Sequence, residues 1–537
     1  MDAQRSLFSS LLRENVFVQI FVAVTVIALC TRVLSGHWFS LVKNGRQHEI
    51  APPTLPHWTP GLRHALRMAY SAKRFLAQSL NKYGDGTPFF IDAAGEKLLI
   101  VLNPEHVRKI LRSSSELDAN PFVHEKILGQ LMGSPKSAID YYRSPESTVD
   151  HDQMMQVRQH TSGSALAALD DKLFKTLKRN VTQAYPEATV DEWIEIPDLY
   201  AFFEDQATRA IAETLLGSAI VDSYPSLAKD MWTFIESTDT LLLGLPRFMA
   251  SEAYSARDRL LAHFTSWGQE ADSLRTQSKV NPSWDPIAGS TLMQEREALY
   301  GSLPGHGLAG RAAQTLGLLY AGTSLMVPVT FWFLYETLRN PSLHSRVINE
   351  LGTNRDPASE TYDFAQLAAT PFLQSLYAEA ARKYSASLVA RQVVSPVFAL
   401  DERYVIKQGT TVLIPSKYAG QYTAAWASVR PSLVEKPLSE FWGERFLVSG
   451  VGGKERFSDA GLAGNWTSFG GGEHKCPGRF FARDIGIVAL SVLLGEFEVD
   501  VLDPEGARRL DPMHRAEAFG TMRPSGQVKA RIRRRHK

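Results

Sequence analysis

Phe469–Ala482 reads FGGGEHKCPGRFFA and holds Cys476, one of only two cysteines in 537 residues. The other, Cys30, lies in an apolar N-terminal run. Pro477, Gly478 and a long apolar segment follow Cys476. Proline is favoured at the first position of a helix, so the order predicts a thiol at a helix N-terminus. There the macrodipole and free backbone N–H groups favour thiolate. Gly470, Gly471, Gly472 and Gly478 let the backbone approach something flat and large without Cβ clashes. Cysteine thiolate is one of the few ligands that hold haem iron, which makes Cys476 a candidate axial ligand. Three other readings stand beside it on the residues alone. A free cysteine is most often a small buried hydrophobe. A thiolate can be a nucleophile, for which the nearby His474 is only a sequence neighbour. Three glycines can cradle phosphate, but no Gly-Lys-Ser/Thr follows.

The whole pattern separates these readings. Phe469, Gly472, Cys476, Gly478 and Ala482 stand at the spacing F-x-x-G-x-x-x-C-x-G-x-x-x-A. This closely resembles the haem-binding signature of the cytochrome P450 family. The resemblance implies a mainly α fold with a minor β region, haem b (iron protoporphyrin IX) ligated by Cys476, O2, and NADPH supplied through a separate reductase. Glu379-Ala-Ala-Arg382 resembles the family's E-x-x-R pair, and positions i and i+3 on a helix share a face. Phe441-Trp-Gly-Glu-Arg-Phe446 resembles its F-x-P-E-R-F segment with Gly443 in place of proline, so Arg445 would complete a Glu–Arg–Arg cluster under the haem. The tryptophan-rich motif usual further upstream is absent, with Arg158 or His160 as substitutes.

Leu308–Arg339 is the longest candidate helix, apolar on several sides and stopped by Asn340-Pro341. Pro328 cannot donate to the carbonyl of Ser324, so a kink is expected there. By resemblance this is the family's oxygen-binding helix, usually A/G-G-x-D/E-T-T/S. Ala321 and Gly322 match, but Ser324 takes the acid position and Leu325 the threonine position. The usual acid–alcohol pair for proton delivery is missing. A water at the kink, held by the Ser324 carbonyl and the Thr323 or Ser324 hydroxyl, is the expected substitute. The central helix, Tyr384–Arg391 and Phe519–Pro524 are similar to the steroid 7α/12α-hydroxylase and prostacyclin-synthase branch, in which Arg391 and His474 would contact haem propionates. That branch holds hydroxylases and a non-redox isomerase.

Composition fits an ordinary large globular core, at 44% hydrophobic and 21% charged residues. Net charge of +1 gives no reason to expect nucleic acid, and two cysteines exclude a disulfide framework. Val16–Thr31 is an apolar run closed by Arg32, read as an uncleaved anchor rather than a signal peptide or core helix. Arg32, Lys43 and Arg46 against Arg5 and Arg13 tilt the C-terminal side toward the cytosol. The expected organisation is an anchor over 1–34, a proline-rich hinge over 35–60, a haem-thiolate domain over 61–530 and a basic tail over 531–537. The sequons at Asn180 and Asn465 would then face the cytosol. No dinucleotide fingerprint or flavin-type glycine loop is present, so electrons would come from another protein, NADPH–cytochrome P450 reductase.

Together these readings predict a monooxygenase of the endoplasmic reticulum membrane, oxidising a lipophilic terpenoid- or steroid-like molecule in fungal secondary metabolite biosynthesis. The pocket would draw on residues 116–143, 202–249, 385–389 and 519–522. Two alternatives remain: a haem-thiolate isomerase or dehydratase needing neither O2 nor reductase, and a haem-binding protein without catalysis.

Overall fold

The computed structural model describes residues 16–277, 282–508, 511 and 522–536. The helices used below are α1 (Val16–Asn44), α2 (Ala65–Tyr83), α3 (Val149–His160), α4 (Gly163–Ala184), α5 (Leu199–Leu216), α6 (Leu227–Glu236), α7 (Thr238–Leu242), α8 (Gly307–Thr323), α9 (Met326–Leu338), α10 (Pro371–Tyr384) and α11 (Arg479–Leu490). The strands are β1 (Phe89–Ala93), β2 (Glu96–Ile100), β3 (Leu117–Asp118), β4 (Ile194–Ile196), β5 (Leu388–Val393), β6 (Thr411–Pro415), β7 (Phe497–Val501) and β8 (Ala530–Arg534). The chain divides into two compact units, residues 1–118 with 390–415, and residues 119–389 with 416–537.

The smaller unit is built on a sheet of order β1-β2-β6-β5-β3. β1 and β2 form an antiparallel hairpin, with Phe89 opposite Ile100. β6 joins β2 in parallel, and β3 closes the edge antiparallel to β5. α1 is long and apolar enough to cross a membrane, and Phe17, Phe21 and Ile27 on it are exposed. Hydropathy breaks at Arg32, yet the helix continues to Asn44. There it docks: Phe39 is buried edge-on against Tyr83, and Arg32 reaches the Tyr83 hydroxyl. The proline-rich stretch that follows is fixed in place. Phe90 donates its N–H to Pro53 O, Leu55 donates to Phe90 O, and Val405 donates to Ile50 O.

The larger unit carries the main core. α9 is buried on all sides, with Phe331, Trp332, Phe333 and Leu334 sealed from solvent, which is why its sequence shows no polar face. α10 and α11 pack against it, and α4 packs against α5 and α11. Burial of each such large apolar side chain contributes roughly 1.5–3 kcal/mol. α8 and α9 pass two membrane-span criteria, length and apolarity, because they form a core helix rather than a span. A small sheet of order β7-β8-β4 lies in the same unit and includes part of the expected basic tail. Asn465 is buried there, closed to a glycan whatever the topology.

Candidate haem-thiolate site

The Cys476 loop folds back on itself. The Cys476 N–H donates to Phe469 O at 2.9 Å, Lys475 donates to Gly472 O, and Gly470 donates to Thr467 O. Gly470 and Gly472 sit at φ +67° and +65°, a left-handed backbone that requires glycine, whereas Gly471 is extended. Gly478 caps α11 rather than starting it, so Pro477 precedes the first turn and Cys476 stands just outside the helix. That position differs from the expected one, and so does its electrostatics. Burial pushes the thiol above its ordinary pKa, against the opposing pull of the Gly478 N–H and the Arg479 charge. Thr161 at the end of α3 donates to Pro477 O at 3.3 Å, and Val157 fills the space beside Gly478. Of the expected substitutes on α3, Arg158 is exposed and His160 is buried against Glu295 at 2.7 Å.

Glu379, Arg382 and Arg445 form one sealed cluster. Glu379 Oε2 accepts from Arg382 Nε at 2.7 Å, and Oε1 accepts from Arg382 Nη2 at 2.8 Å and Arg445 Nε at 3.0 Å. The Trp442 N–H adds a fourth bond at 3.0 Å. Arg445 sends its four remaining N–H groups to the carbonyls of Leu433, Lys436, Pro437 and Glu440. Burial lowers its pKa, and the Glu379 charge resists that. Gly443, where the resembled segment has proline, has a local reason. A Cβ there would meet Leu376 Cδ1 at 2.5 Å, and the Gly443 carbonyl accepts from Ser375 at 2.7 Å.

The central helix breaks at Ser324–Leu325, four and three residues before Pro328, into α8 and α9. Both residues stay in right-handed helical space, so the break is shallow. Thr323 is buried with its hydroxyl donating to Leu319 O at 2.7 Å. Ser324 is buried too. The Thr323 hydroxyl is thus held by its own helix. Leu318, Ala321, Gly322 and Leu325 keep accessible surface on one face of an otherwise buried helix, Ala321 most of all. Tyr377 ties this helix to the cysteine region: its hydroxyl lies 3.6 Å from Met326 Sδ and donates to Ala482 O at 3.0 Å. Cys476 is near enough for its charge to act on that phenol.

Residues 309–530 match the family described as Cytochrome P450. Cytochrome P450 monooxygenase efuG of Hormonema carpetanum is 27% identical, covering 96% of each chain. Cytochrome P450 monooxygenase fsoE of Humicola fuscoatra is 27% identical over 90% of this chain and 88% of its own. Cytochrome P450 7A1 of Oryctolagus cuniculus is 23% identical over 95% and 98%.

Over residues 309–530 the chain is similar to the cytochrome P450 family. The family implies a haem, O2 and a redox partner, and the residues present fit a haem. Cys476 is a free thiol with accessible surface although burial raises its pKa, the combination of a group that lines an enclosed space. On the central helix Ala321 and Gly322 keep accessible surface and carry no bulky side chain. Phe469 stands edge-on to Trp466, and Ala482 is buried one turn into α11. His474 is half-buried beside the loop. Arg391 belongs to the smaller unit, where it is buried, donates to Ala390 O at 2.7 Å and has its pKa lowered by burial. Of the expected pocket segments, Phe519, Gly520 and Thr521 lie outside the described residues, while Met522 O accepts from the Trp332 indole. Tyr377 and Tyr320 were not legible as site residues, because their partners lie far away in sequence.

Proposed function

We propose that this protein is a membrane-anchored haem-thiolate monooxygenase that oxidises a lipophilic terpenoid- or steroid-like molecule, with Cys476 as the axial ligand of haem b. The observation that carries the reading is the accessible, disulfide-free thiol of Cys476 in a glycine-shaped loop. The haem, when bound, supplies O2 activation, with electrons from NADPH through a separate reductase. The chain's residues supply the rest. Phe469, Gly472, Gly478 and Ala482 shape the thiolate side, Ala321 and Gly322 leave room on the opposite wall, and Arg391 and His474 are the proposed propionate contacts. Glu379, Arg382 and Arg445 hold the scaffold beneath. Thr323, Ser324 and Pro328 set the helix break where proton delivery is organised. The apolar run of α1 and the basic residues after it support an endoplasmic reticulum membrane location with the catalytic part facing the cytosol. The fungal monooxygenases among its relatives support a role in secondary metabolite biosynthesis.

Two measurements test the reading. Reduced protein with carbon monoxide should show the red-shifted Soret band of thiolate-ligated iron, and Cys476→Ala should abolish it. Turnover of candidate terpenoids should require NADPH and reductase and place labelled oxygen from O2 in the product. Turnover without reductase or O2 would replace this reading with an isomerase, the option that the missing acid–alcohol pair favours.

A further inference from the structure

The accessible face of the central helix carries a polar group that haem ligation does not use. Thr238 Oγ1, at the start of α7, donates to Ile235 O at 2.6 Å and lies 3.1 Å from the Tyr320 hydroxyl. A proton count fixes the direction of these bonds. Thr238 has one hydroxyl proton, and the Ile235 carbonyl, which can only accept, takes it. Tyr320 must then donate across the 3.1 Å contact. The chain runs Tyr320 to Thr238 to Ile235, with both hydroxyl protons committed inside the protein. What it offers a visitor is lone pairs only.

Its surroundings are apolar. Leu318, Ala321 and Leu325 keep accessible surface on the same helix, and Phe234 stands edge-on to the Tyr320 ring at 5.8 Å. Tyr320 and Thr238 keep accessible surface as well, while burial pushes the Tyr320 phenol above its ordinary pKa. Accessible surface on a densely surrounded group marks the lining of an enclosed space.

We propose that Tyr320, supported by Thr238, is a specificity-determining anchor that accepts a hydrogen bond from a substrate hydroxyl, so that this enzyme takes a lipophilic alcohol over the matching ketone. An alcohol donates its proton to a waiting lone pair. A ketone sets lone pairs against lone pairs and leaves its carbonyl desolvated and unpaired. The inference rests on the lipophilic-substrate reading above and concerns recognition rather than oxidation.

The test uses the haem-loaded full chain in detergent and calorimetric titration with matched pairs, among them cholestanol with cholestanone and borneol with camphor. In each pair that binds, the alcohol should bind about three- to tenfold tighter. Tyr320→Phe should erase that difference while keeping the carbon monoxide band. Thr238→Val should do something a merely structural residue would not. It removes the acceptor of the Tyr320 proton, frees that proton to donate, and moves the preference toward the ketone. Equal binding within the wild-type pairs, or a preference that survives Tyr320→Phe, overturns the anchor alone. Binding by no member of any pair overturns the lipophilic-substrate reading and the anchor with it.

Discussion

Glu379 is fully enclosed and accepts four hydrogen bonds, two of them from Arg382 and one from Arg445. Cutting it back to alanine strands two buried guanidinium groups, and removing one partner of such a cluster costs about 3–5 kcal/mol. Glu379→Ala should therefore yield little haem-loaded protein, read as the Soret-to-protein absorbance ratio; normal loading would remove the cluster from the scaffold. Gly443 makes a finer prediction. Its neighbour Leu376 is fully buried and cannot swing away from an added Cβ. Gly443→Ala should cost about 1–3 kcal/mol in thermal melting, and Gly443→Ala with Leu376→Val should recover part of it. A single mutant as stable as the wild type would show that Leu376 has room to move. At this scale the sequence was highly readable where chemistry repeats at short spacing, as in Glu379–Arg382 and the Cys476 loop. It was silent on Tyr320, whose hydroxyl meets Thr238 from 82 positions away, since no local pattern marks a contact made only by the fold.

Elements follow the same division. The long central helix and its stop were legible from apolar content and Asn340-Pro341, and Asn340 does cap the following helix with its side chain. The break at Ser324–Leu325 was legible from Pro328, because a missing donor acts on the carbonyl four residues back. The join between α4 and α11 was not. There Asp170 and Asp484 are both buried, with Arg483 donating to Asp484 at 2.8 Å. Burial first, then the Asp484 charge, pushes Asp170 up to about 9, so it is protonated at neutral pH. In the unfolded chain the same group ionises near ~4. The native state thus holds a proton that the unfolded state has lost, and stability falls as pH rises from about 4 through about 9. Asp170→Asn keeps a donor toward Asp484 without a titrating proton. It should melt near the wild type at pH 5 and gain on the order of 1–3 kcal/mol at pH 8.5. Parallel melting curves at both pH values would show that the carboxyl pair does not share a proton.

For the whole molecule, α1 joins two functions that hydropathy alone treats as one. The apolar run ends at Thr31, and from Arg32 onward the helix belongs to the smaller unit's packing: Ser35 bonds His57, Lys43 pairs with Asp85, and Phe39 is buried on Tyr83. Hydropathy missed this second half because a docked helix needs only one apolar stripe, not a continuous run. Two deletions separate the parts. Removing residues 1–31 takes away exposed apolar surface and, among the described residues 17–31, no buried side chain, so the protein should keep its carbon monoxide band and melting temperature while losing most of its sedimentation with membranes. Removing residues 1–44 also takes Phe39 from its site and strips Tyr83, a loss of the kind that costs about 3–5 kcal/mol when a large aromatic leaves a core. That longer deletion should melt measurably lower. Equal stability of the two truncated proteins would mean that residues 32–44 add nothing to the fold, and membrane retention by the shorter deletion would locate the binding surface elsewhere than the apolar run.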